Sequence, residues 1–217
     1  MSPHKKTNLN IGLMLILLFS MSLLAAQTTL SGTISKADET LIENALVILG
    51  GDMGDTTFTD ENGYYEFSVP TGGNYSITPI SDELNPSNGI DTLDLILLSN
   101  HLLSIQLFDS PYQYIAADLN GSNSLSNLDL TTLQSFLLFV ITEFTVPSWQ
   151  FVNKNFVFPV PNDPWVTSYP SSINVNNVSQ DLNGLDFIGI KSGDLDCSAV
   201  PILTFDPCLF SCGEVTG

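Results

Sequence analysis

Two stretches of the sequence carry oxygen-bearing side chains at every second position and end in an aspartate. The more regular one begins at Asp118 and ends at Asp129. Carboxylate, amide and hydroxyl oxygens are the ligands that a hard cation such as Ca²⁺ takes in proteins. Apolar residues at a spacing of three and four follow directly, which predicts a helix immediately after the polar run. The pattern therefore predicts a cation-binding loop that opens into a helix.

The spacing within this stretch fits a calcium loop of about twelve residues. Such a loop takes ligands from alternate positions, uses a backbone carbonyl at the seventh and turns sharply at the sixth. Asn123 stands at the sixth position and tolerates the left-handed backbone that the turn requires, while Leu125 at the eighth can pack inward. The predicted calcium ligands are Asp118, Asn120, Ser122, Ser124 and Asp129.

A second copy of the loop lies 35 positions earlier and ends at Asp94. It has Ile90 at the eighth position and the same apolar helix pattern behind it. A glutamate at its first position and Pro86 at its fourth predict weaker calcium binding than in the later copy. In the alternative interpretation both final aspartates only cap helix starts, where Asp, Asn and Ser are common. The predicted ligands of this first loop are Glu83, Asn85, Ser87, Gly89 and Asp94.

Two copies of a loop and helix, each with aspartate at the last loop position, resemble a type I dockerin, a relative of the EF-hand. The segment 110–117 contains a proline, two tyrosines and no polar helix face, which predicts an extended lead-in. The resemblance implies that two helices, expected at 92–103 and 129–140, pack together. It also implies that their outer faces dock on a cohesin-type domain, in a polysaccharide-associated or cell-surface assembly. The residues it implies for the docking face are Thr92, Asn100, Asn127 and Ser135.

The N-terminus predicts export from the cell. Lys5 and Lys6 precede an apolar run that ends in small residues at Ala25 and Ala26, as in a secretory signal over residues 1–27. A membrane anchor is the alternative interpretation, since the run is long enough to span a bilayer. Signal removal leaves three lysines, no arginine and all 23 acidic residues. We therefore expect a secreted or cell-surface protein with no membrane span in the mature chain, and no nucleic-acid partner, because this surface repels phosphate.

Residues 28–80 consist of short alternating segments separated by glycine and proline, which predicts a small antiparallel β-sandwich. The series Asp60, Gly63, Tyr65 and Phe67 resembles the carboxypeptidase regulatory-like domains and the related B-type repeats of collagen adhesins. This resemblance implies a non-catalytic spacer or packing module.

The remaining segments complete a multidomain α+β protein. Residues 81–142 form the predicted dockerin-like module, 143–196 a β-rich extension that packs on it, and 197–217 a loosely ordered tail. Secretion permits a disulfide, and Cys208 and Cys212 are close enough in sequence to close a small loop, but the pairing with Cys197 stays open.

Three functions remain compatible with the sequence. The first is a non-enzymatic calcium-dependent docking protein. The second is a structural or adhesive stalk in which calcium only rigidifies the chain. The third is a small glycoside hydrolase, which needs a convergent pair of carboxylates in a cleft away from the calcium loops. The absence of arginine, the single histidine left after signal removal, His101, and the lack of a nucleophile or phosphate-loop motif count against catalysis.

Overall fold

The computed structural model describes residues 26–80 and 85–200. Most of the predicted secretory signal, Glu83, Cys208 and Cys212 therefore lie outside the described residues. No helix in the described ranges combines the length and apolar character needed to cross a membrane. The described elements are β1 Gln27–Ser35, β2 Leu46–Gly51, β3 Asp55–Phe58, β4 Tyr64–Pro70, β5 Tyr75–Ile80, α1 Thr92–Leu102, α2 Pro111–Ala117, α3 Asn127–Leu137, β6 Trp149–Asn153, β7 Ile173–Val175 and β8 Phe187–Lys191.

The strands form two four-stranded sheets, so the fold is α+β with a sandwich-like pair of sheets. One sheet has the order β4-β1-β8-β6 and the other has the order β3-β2-β5-β7. Strand β4 shows why the sequence pattern predicts this arrangement, because its alternate residues Tyr65, Phe67 and Val69 are buried while those between them are exposed.

The extension over residues 143–196 supplies a strand to both sheets. Strands β6 and β8 pair antiparallel with each other, and β8 runs parallel to β1, with Ile34 opposite Phe187. Strand β7 pairs antiparallel with β5. The sequence predicts that this extension packs on the helical module, and the structure shows that its strands also complete both sheets. The domain boundaries read from the sequence stay predictions.

Strand β8 is buried on both faces and joins two hydrophobic cores. Phe187 packs into the core between the sheets, whereas Ile188 and Ile190 pack into a second core that contains Leu98 of α1 and Leu133 of α3. Burying an aliphatic side chain of this size contributes roughly 1.5–3 kcal/mol. The helices therefore rest on the outer face of the sheet that contains β8.

The predicted extended lead-in at residues 110–117 is wrong, because Pro111–Ala117 form helix α2. The Ser110 hydroxyl accepts a hydrogen bond from the backbone N–H of Tyr112, and Pro111 occupies the first turn, where a missing N–H costs nothing. The last four residues of α2 are all buried. A helix enclosed in this way needs no polar face, so amphipathic spacing could not reveal it. In the described part of the predicted dockerin-like module there are thus three helices rather than two.

Candidate calcium sites at the starts of two helices

Helices α1 and α3 begin in the same way, 35 residues apart. Each has 11 residues and a capping box, in which the side chain of Asp91 or Ser126 caps the backbone and the aspartate three residues later bonds back. Asp94 and Asp129 therefore do cap their helices, as the alternative interpretation of the sequence expects. Capping uses only one carboxylate oxygen of each residue, and the second oxygen of each faces a loop.

The loop before α3 is held by hydrogen bonds to the side chains of Asp118, Asn120 and Asp129. The Asp118 carboxylate accepts hydrogen bonds from the backbone N–H groups of Ser122 at 2.9 Å and Asn123 at 2.8 Å. The amide oxygen of Asn120 accepts from the same Ser122 N–H at 2.8 Å. Asp129 Oδ1 accepts from the N–H of Asn120 at 3.4 Å. Ser122 N–H thus links the oxygens of Asp118 and Asn120, and the backbone of Asn120 links this pair to Asp129.

The donor set of this loop fits calcium. Asp118 and Asp129 are both buried. Burial, with the nearby negative charge of Asp129 as a smaller cause, raises the pKa of Asp118 although backbone N–H groups lower it. Buried charges of like sign are costly unless a cation or a proton compensates them. The hydroxyls of Ser122 and Ser124 lie 3.1 Å apart at the exposed edge of the loop. All five residues stay predicted ligands, and every side chain among them offers oxygen.

The loop before α1 is less complete. Asn85 and Ser87 are exposed and bond to each other, with the Ser87 hydroxyl donating to the Asn85 amide oxygen at 2.8 Å. The Gly89 carbonyl accepts from the hydroxyl of Ser198 at 3.1 Å. Among the described hydrogen bonds, none joins Asn85 or Ser87 to Asp94. The assignment of these residues to one contiguous loop stays a prediction.

Asp94 instead lies beside two carboxylates from the end of the extension. One oxygen from each of Asp94, Asp194 and Asp196 falls within 4.8 Å of the other two. Burial raises the pKa of Asp94 to about 7, and repulsion from Asp194 and Asp196 adds to the effect. Burial likewise raises the pKa of Asp194 to about 6. This cluster is not among the predicted sites, although Asp194-Leu195-Asp196 differs only at its third residue from Asp118-Leu119-Asn120 of the other loop.

A cavity of about 300 Å³ borders this cluster. Four aspartates line it, and two of these, Asp194 and Asp196, belong to the cluster. A third, Asp38, lies 3.5 Å from the ammonium group of Lys36. Among the described lining residues this leaves Asp109 as the one carboxylate outside these contacts. The cavity therefore holds two carboxylates outside the cluster, Asp38 and Asp109, of which Asp38 is paired with Lys36.

Within residues 26–80 and 85–200, the outer faces of α1 and α3 carry exposed side chains. Thr92 and Asn127 are exposed, whereas Asn100 and Ser135 are half-buried. The exposed fractions of Leu93 and Leu128 are 45% and 60%, and these two residues occupy equivalent positions of the repeat. Ile96 is also more than half exposed. Within the described residues, two of the four predicted docking residues are thus exposed, at the starts of the helices, and the other two are half-buried.

Comparison with known protein families matches residues 84–138 to the dockerin type I domain. This match confirms the coarse resemblance, and it supports a calcium-binding module for protein–protein docking in this part of the chain. A docking module is not catalytic. The match does not test the carboxypeptidase regulatory-like resemblance, which stays a prediction.

Two solved structures resemble short parts of the chain. The Bacillus anthracis TIE protein is 22% identical, with a TM-score of 0.24, over 28% of this chain and 12% of that one. The C-terminal fragment of pilus adhesin SpaC from Lactobacillus rhamnosus GG is 14% identical, with a TM-score of 0.24, over 29% of this chain and 27% of that one. The chain therefore spans well under a third of either structure. No curated protein matches the sequence.

Proposed function

We propose that this protein is a secreted, non-catalytic docking protein whose helical module binds a cohesin-type domain when calcium is bound. The observation that carries the proposal is the pair Leu93 and Leu128, exposed at equivalent positions of two helices whose opposite faces are buried. Exposed apolar area that is grouped on one face is typical of an interaction surface, and Ile96 adds to that area on the same helix as Leu93. They lie within the segment that matches the dockerin type I domain.

Calcium would act through the loop that ends at Asp129. A bound ion supplies the positive charge that two buried carboxylates lack in their own surroundings. The Asp129 carboxylate accepts hydrogen bonds from both the loop and the helix cap. The donors are Leu119 N–H at 3.1 Å and Ser126 N–H at 3.0 Å. Neutralising Asp118 and Asp129 would therefore hold the loop and the first turn of α3 in one fixed arrangement, which fixes the outer face of α3.

The docking face would combine apolar and polar side chains from both helices. Leu93, Ile96 and Leu128 supply exposed apolar area, and Thr92 and Asn127 supply polar groups beside them. This mixture suits a surface that is soluble alone and buried in a complex. The partner would be a cohesin-type sandwich on another protein, within a polysaccharide-associated or cell-surface assembly. The regulatory-like sandwich would serve as the spacer that carries the module.

A structural stalk is the second candidate. It is favoured by β8, which is buried on both faces and so joins the helices firmly to the sheets. In a stalk, calcium would rigidify the chain and the helix faces would bind no partner. The two candidates agree about calcium and differ about the outer faces of α1 and α3.

Calcium binding is tested first, on the chain from Gln27 to Gly217, which retains every described helix and strand. We expect calorimetry to detect calcium binding and melting to shift upward from chelator to calcium. A ligand that binds only the folded state at about 100 times its Kd stabilises by about 2.7 kcal/mol. No heat and no shift at millimolar calcium would leave Asp94 and Asp129 as helix caps.

Partner binding then separates docking from the stalk. A panel of cohesin-type domains is tested against the calcium-loaded protein and against the double variant Leu93→Ser and Leu128→Ser. Leu107→Ser is the matched control, because Leu107 is 63% exposed but lies outside both helices. Binding that is lost only in the double variant supports docking. Calcium stabilisation without binding to any cohesin-type domain supports the stalk.

A further inference from the structure

Residues 194–199 reproduce the first half of the calcium loop at 118–123. The Asp194 carboxylate accepts hydrogen bonds from Ser198 N–H at 3.0 Å and Ala199 N–H at 2.9 Å. These are the residues four and five positions later, and Asp118 accepts from the same two positions of its own loop. The two segments therefore fold around their first aspartate in the same way.

The agreement extends through the fifth residue and ends at the sixth, where Asn123 has a left-handed backbone with φ of 58° and Ala199 does not. Asp196 accepts from Ser198 N–H at 3.0 Å, as Asn120 does from the corresponding serine at 2.8 Å. The fourth residue has a left-handed backbone in both segments, with φ of 61° at Cys197 and 68° at Gly121. A cysteine in this conformation departs from its usual preference, so the turn is imposed by the surroundings.

The second half of this loop comes from a distant part of the chain. Leu195 N–H donates to Asp94 Oδ1 at 2.7 Å, as Leu119 N–H donates to Asp129 Oδ1 at 3.1 Å. Asp94 Oδ2 accepts from Asp91 N–H at 2.8 Å, which matches the cap of α3. Asp94 thus has the same relation to residues 194–196 that Asp129 has to residues 118–120.

We propose that Asp94, Asp194 and Asp196 bind a calcium ion in a composite loop, with its first half after β8 and its second half before α1. The proposal rests on the proposed function, because the dockerin type I match is what implies calcium for this module. It replaces Glu83, Asn85 and Ser87 as partners of Asp94. The loop remains a calcium loop in its chemistry, but it is divided between segments about one hundred residues apart.

The donor set fits the ion. The three carboxylates lie within 4.8 Å of one another, and Asp94 and Asp194 are almost fully buried. Calcium takes oxygen ligands, and its affinity rises with the number of charged ligands. The composite loop offers three carboxylates, whereas the loop at 118–129 offers two. We therefore expect the composite loop to bind calcium more tightly, the reverse of the order that the sequence alone predicts.

The neighbouring lysine holds the backbone of the composite loop. Lys36 Nζ donates to the carbonyl oxygens of Cys197 at 2.6 Å and Ala199 at 2.9 Å, and its ion pair is with Asp38. On the other side, a Cβ atom added to Gly89 would lie 2.4 Å from Ala199 Cα. The segment is therefore clamped between β1 and the loop before α1, with its carboxylates directed toward Asp94.

Calcium at this position would fasten the helices to the sandwich. Asp94 lies in the first turn of α1, and Asp194 lies three residues after the end of β8. The residue before Asp194 also contacts a helix, because Gly193 N–H donates a hydrogen bond to the carbonyl of Ala116 in α2 at 2.8 Å. An ion that bridges Asp94 and Asp194 therefore joins a helix to a strand, in addition to ordering its own loop.

Four single variants of the 27–217 chain test the proposal by calcium calorimetry. Asp196→Asn removes one charge from the composite loop, and the exposed amide can still accept from Ser198. Glu83→Gln tests the contiguous first loop, and Asp118→Asn tests the loop before α3. Asp163→Asn is the charge-matched control, because Asp163 is exposed and far along the chain from every loop. Melting in chelator checks that each variant folds like the wild type.

We expect two binding events in the wild type, in Glu83→Gln and in the control. Asp196→Asn should weaken one event by about tenfold or more, since changing even an outer-shell partner costs that much and here a charged ligand is lost. The proposal is overturned if Glu83→Gln removes an event while Asp196→Asn keeps both, or if neither variant changes the titration. In Asp118→Asn we expect one binding event to be lost and the other to remain. Such a loss shows that the loop before α3 binds calcium. The proposed function would then stand even if the composite loop fails.

Discussion

The substitution Gly89→Ala tests how closely the loop before α1 contacts the end of the extension. Gly89 has a φ of +73°, and an added Cβ would lie 2.4 Å from both the N and Cα atoms of Ala199. Backbone atoms cannot rotate away as a flexible side chain would, so the two segments must separate. Gly184→Ala is the matched control, since Gly184 has a φ of +76° and open space around its Cβ position.

The size of the effect follows from what the two substitutions share. A left-handed alanine costs roughly 1–2 kcal/mol in either variant. Separation at Gly89 also breaks the bond from Ser198 Oγ to the Gly89 carbonyl and the pair of bonds between Asn88 and Val200. Each bond contributes roughly 0.5–1.5 kcal/mol. We therefore expect Gly89→Ala to lower the free energy of unfolding by about 2–3 kcal/mol more than Gly184→Ala.

Urea unfolding in chelator, followed by fluorescence of the buried Trp149, measures this difference without any contribution from calcium. Equal losses in the two variants would refute the close contact, and with it the clamp on residues 194–199. A further titration with calcium should show one weakened binding event in Gly89→Ala. In Gly184→Ala both events should keep the wild-type affinity.

Three other perturbations test the helical core, a histidine and the lysine clamp. Leu133→Ala should lower the free energy of unfolding by about 2–5 kcal/mol, because Leu133 is fully buried, whereas the exposed Leu128→Ala should stay within about 0.5 kcal/mol. Burial lowers the pKa of His101, and its Nδ1 accepts from Phe108 N–H at 3.0 Å. Its contribution is therefore present above the unfolded pKa of about 6.5 and lost as pH falls below it. The melting temperature of the wild type in calcium should accordingly drop more between pH 7.5 and 5.5 than that of His101→Gln, and equal drops would contradict this role. Lys36→Met removes two charge-assisted bonds to carbonyls and should destabilise by roughly 3 kcal/mol in urea titrations; a loss under 1 kcal/mol would mean that the clamp is weak.

Local patterns predict the elements whose signals lie within short windows. Alternation predicts β4, and the repeat ending at Asp94 and Asp129 predicts α1 and α3 to within a few residues. Helix α2 is not predicted, because its last four residues are all buried and it therefore has no polar face to give an amphipathic pattern. The pairing partners of strands β6 to β8 are not predicted either, because strand pairing is decided by contacts between residues far apart in the sequence.

The two candidate calcium sites also differ in whether their residues lie within one short window of the sequence. The loop at 118–129 can be read from one window, because every predicted ligand follows Asp118 within twelve positions. The composite loop cannot be read this way, because its halves are joined only when β8 places Asp194 beside Asp94. A contiguous search completes the half-loop before Asp94 with the nearest polar residues, which are Glu83, Asn85 and Ser87. A search for separate half-loops returns Asp-Leu-Asp at 194–196, but it also returns Asp181–Gly184, which repeats all four residues of Asp118–Gly121, so only the structure selects the half-loop that lies beside Asp94.

The position of β8 connects the calcium sites to the docking face. This strand packs on the opposite sheet through Phe187 and on the helices through Ile188 and Ile190, and Asp194 follows shortly after its end. Calcium at the composite loop would therefore fix the angle between α1 and the sandwich, whereas calcium at the loop before α3 orders that helix alone. A partner that contacts only Leu128 and its neighbours should keep its affinity in Asp196→Asn. A partner that contacts both Leu93 and Leu128 should lose affinity, because its two contact helices would no longer be held in one geometry. Binding of the same cohesin-type domain to Asp196→Asn and to Asp118→Asn thus distinguishes a face formed by one helix from a face formed by both.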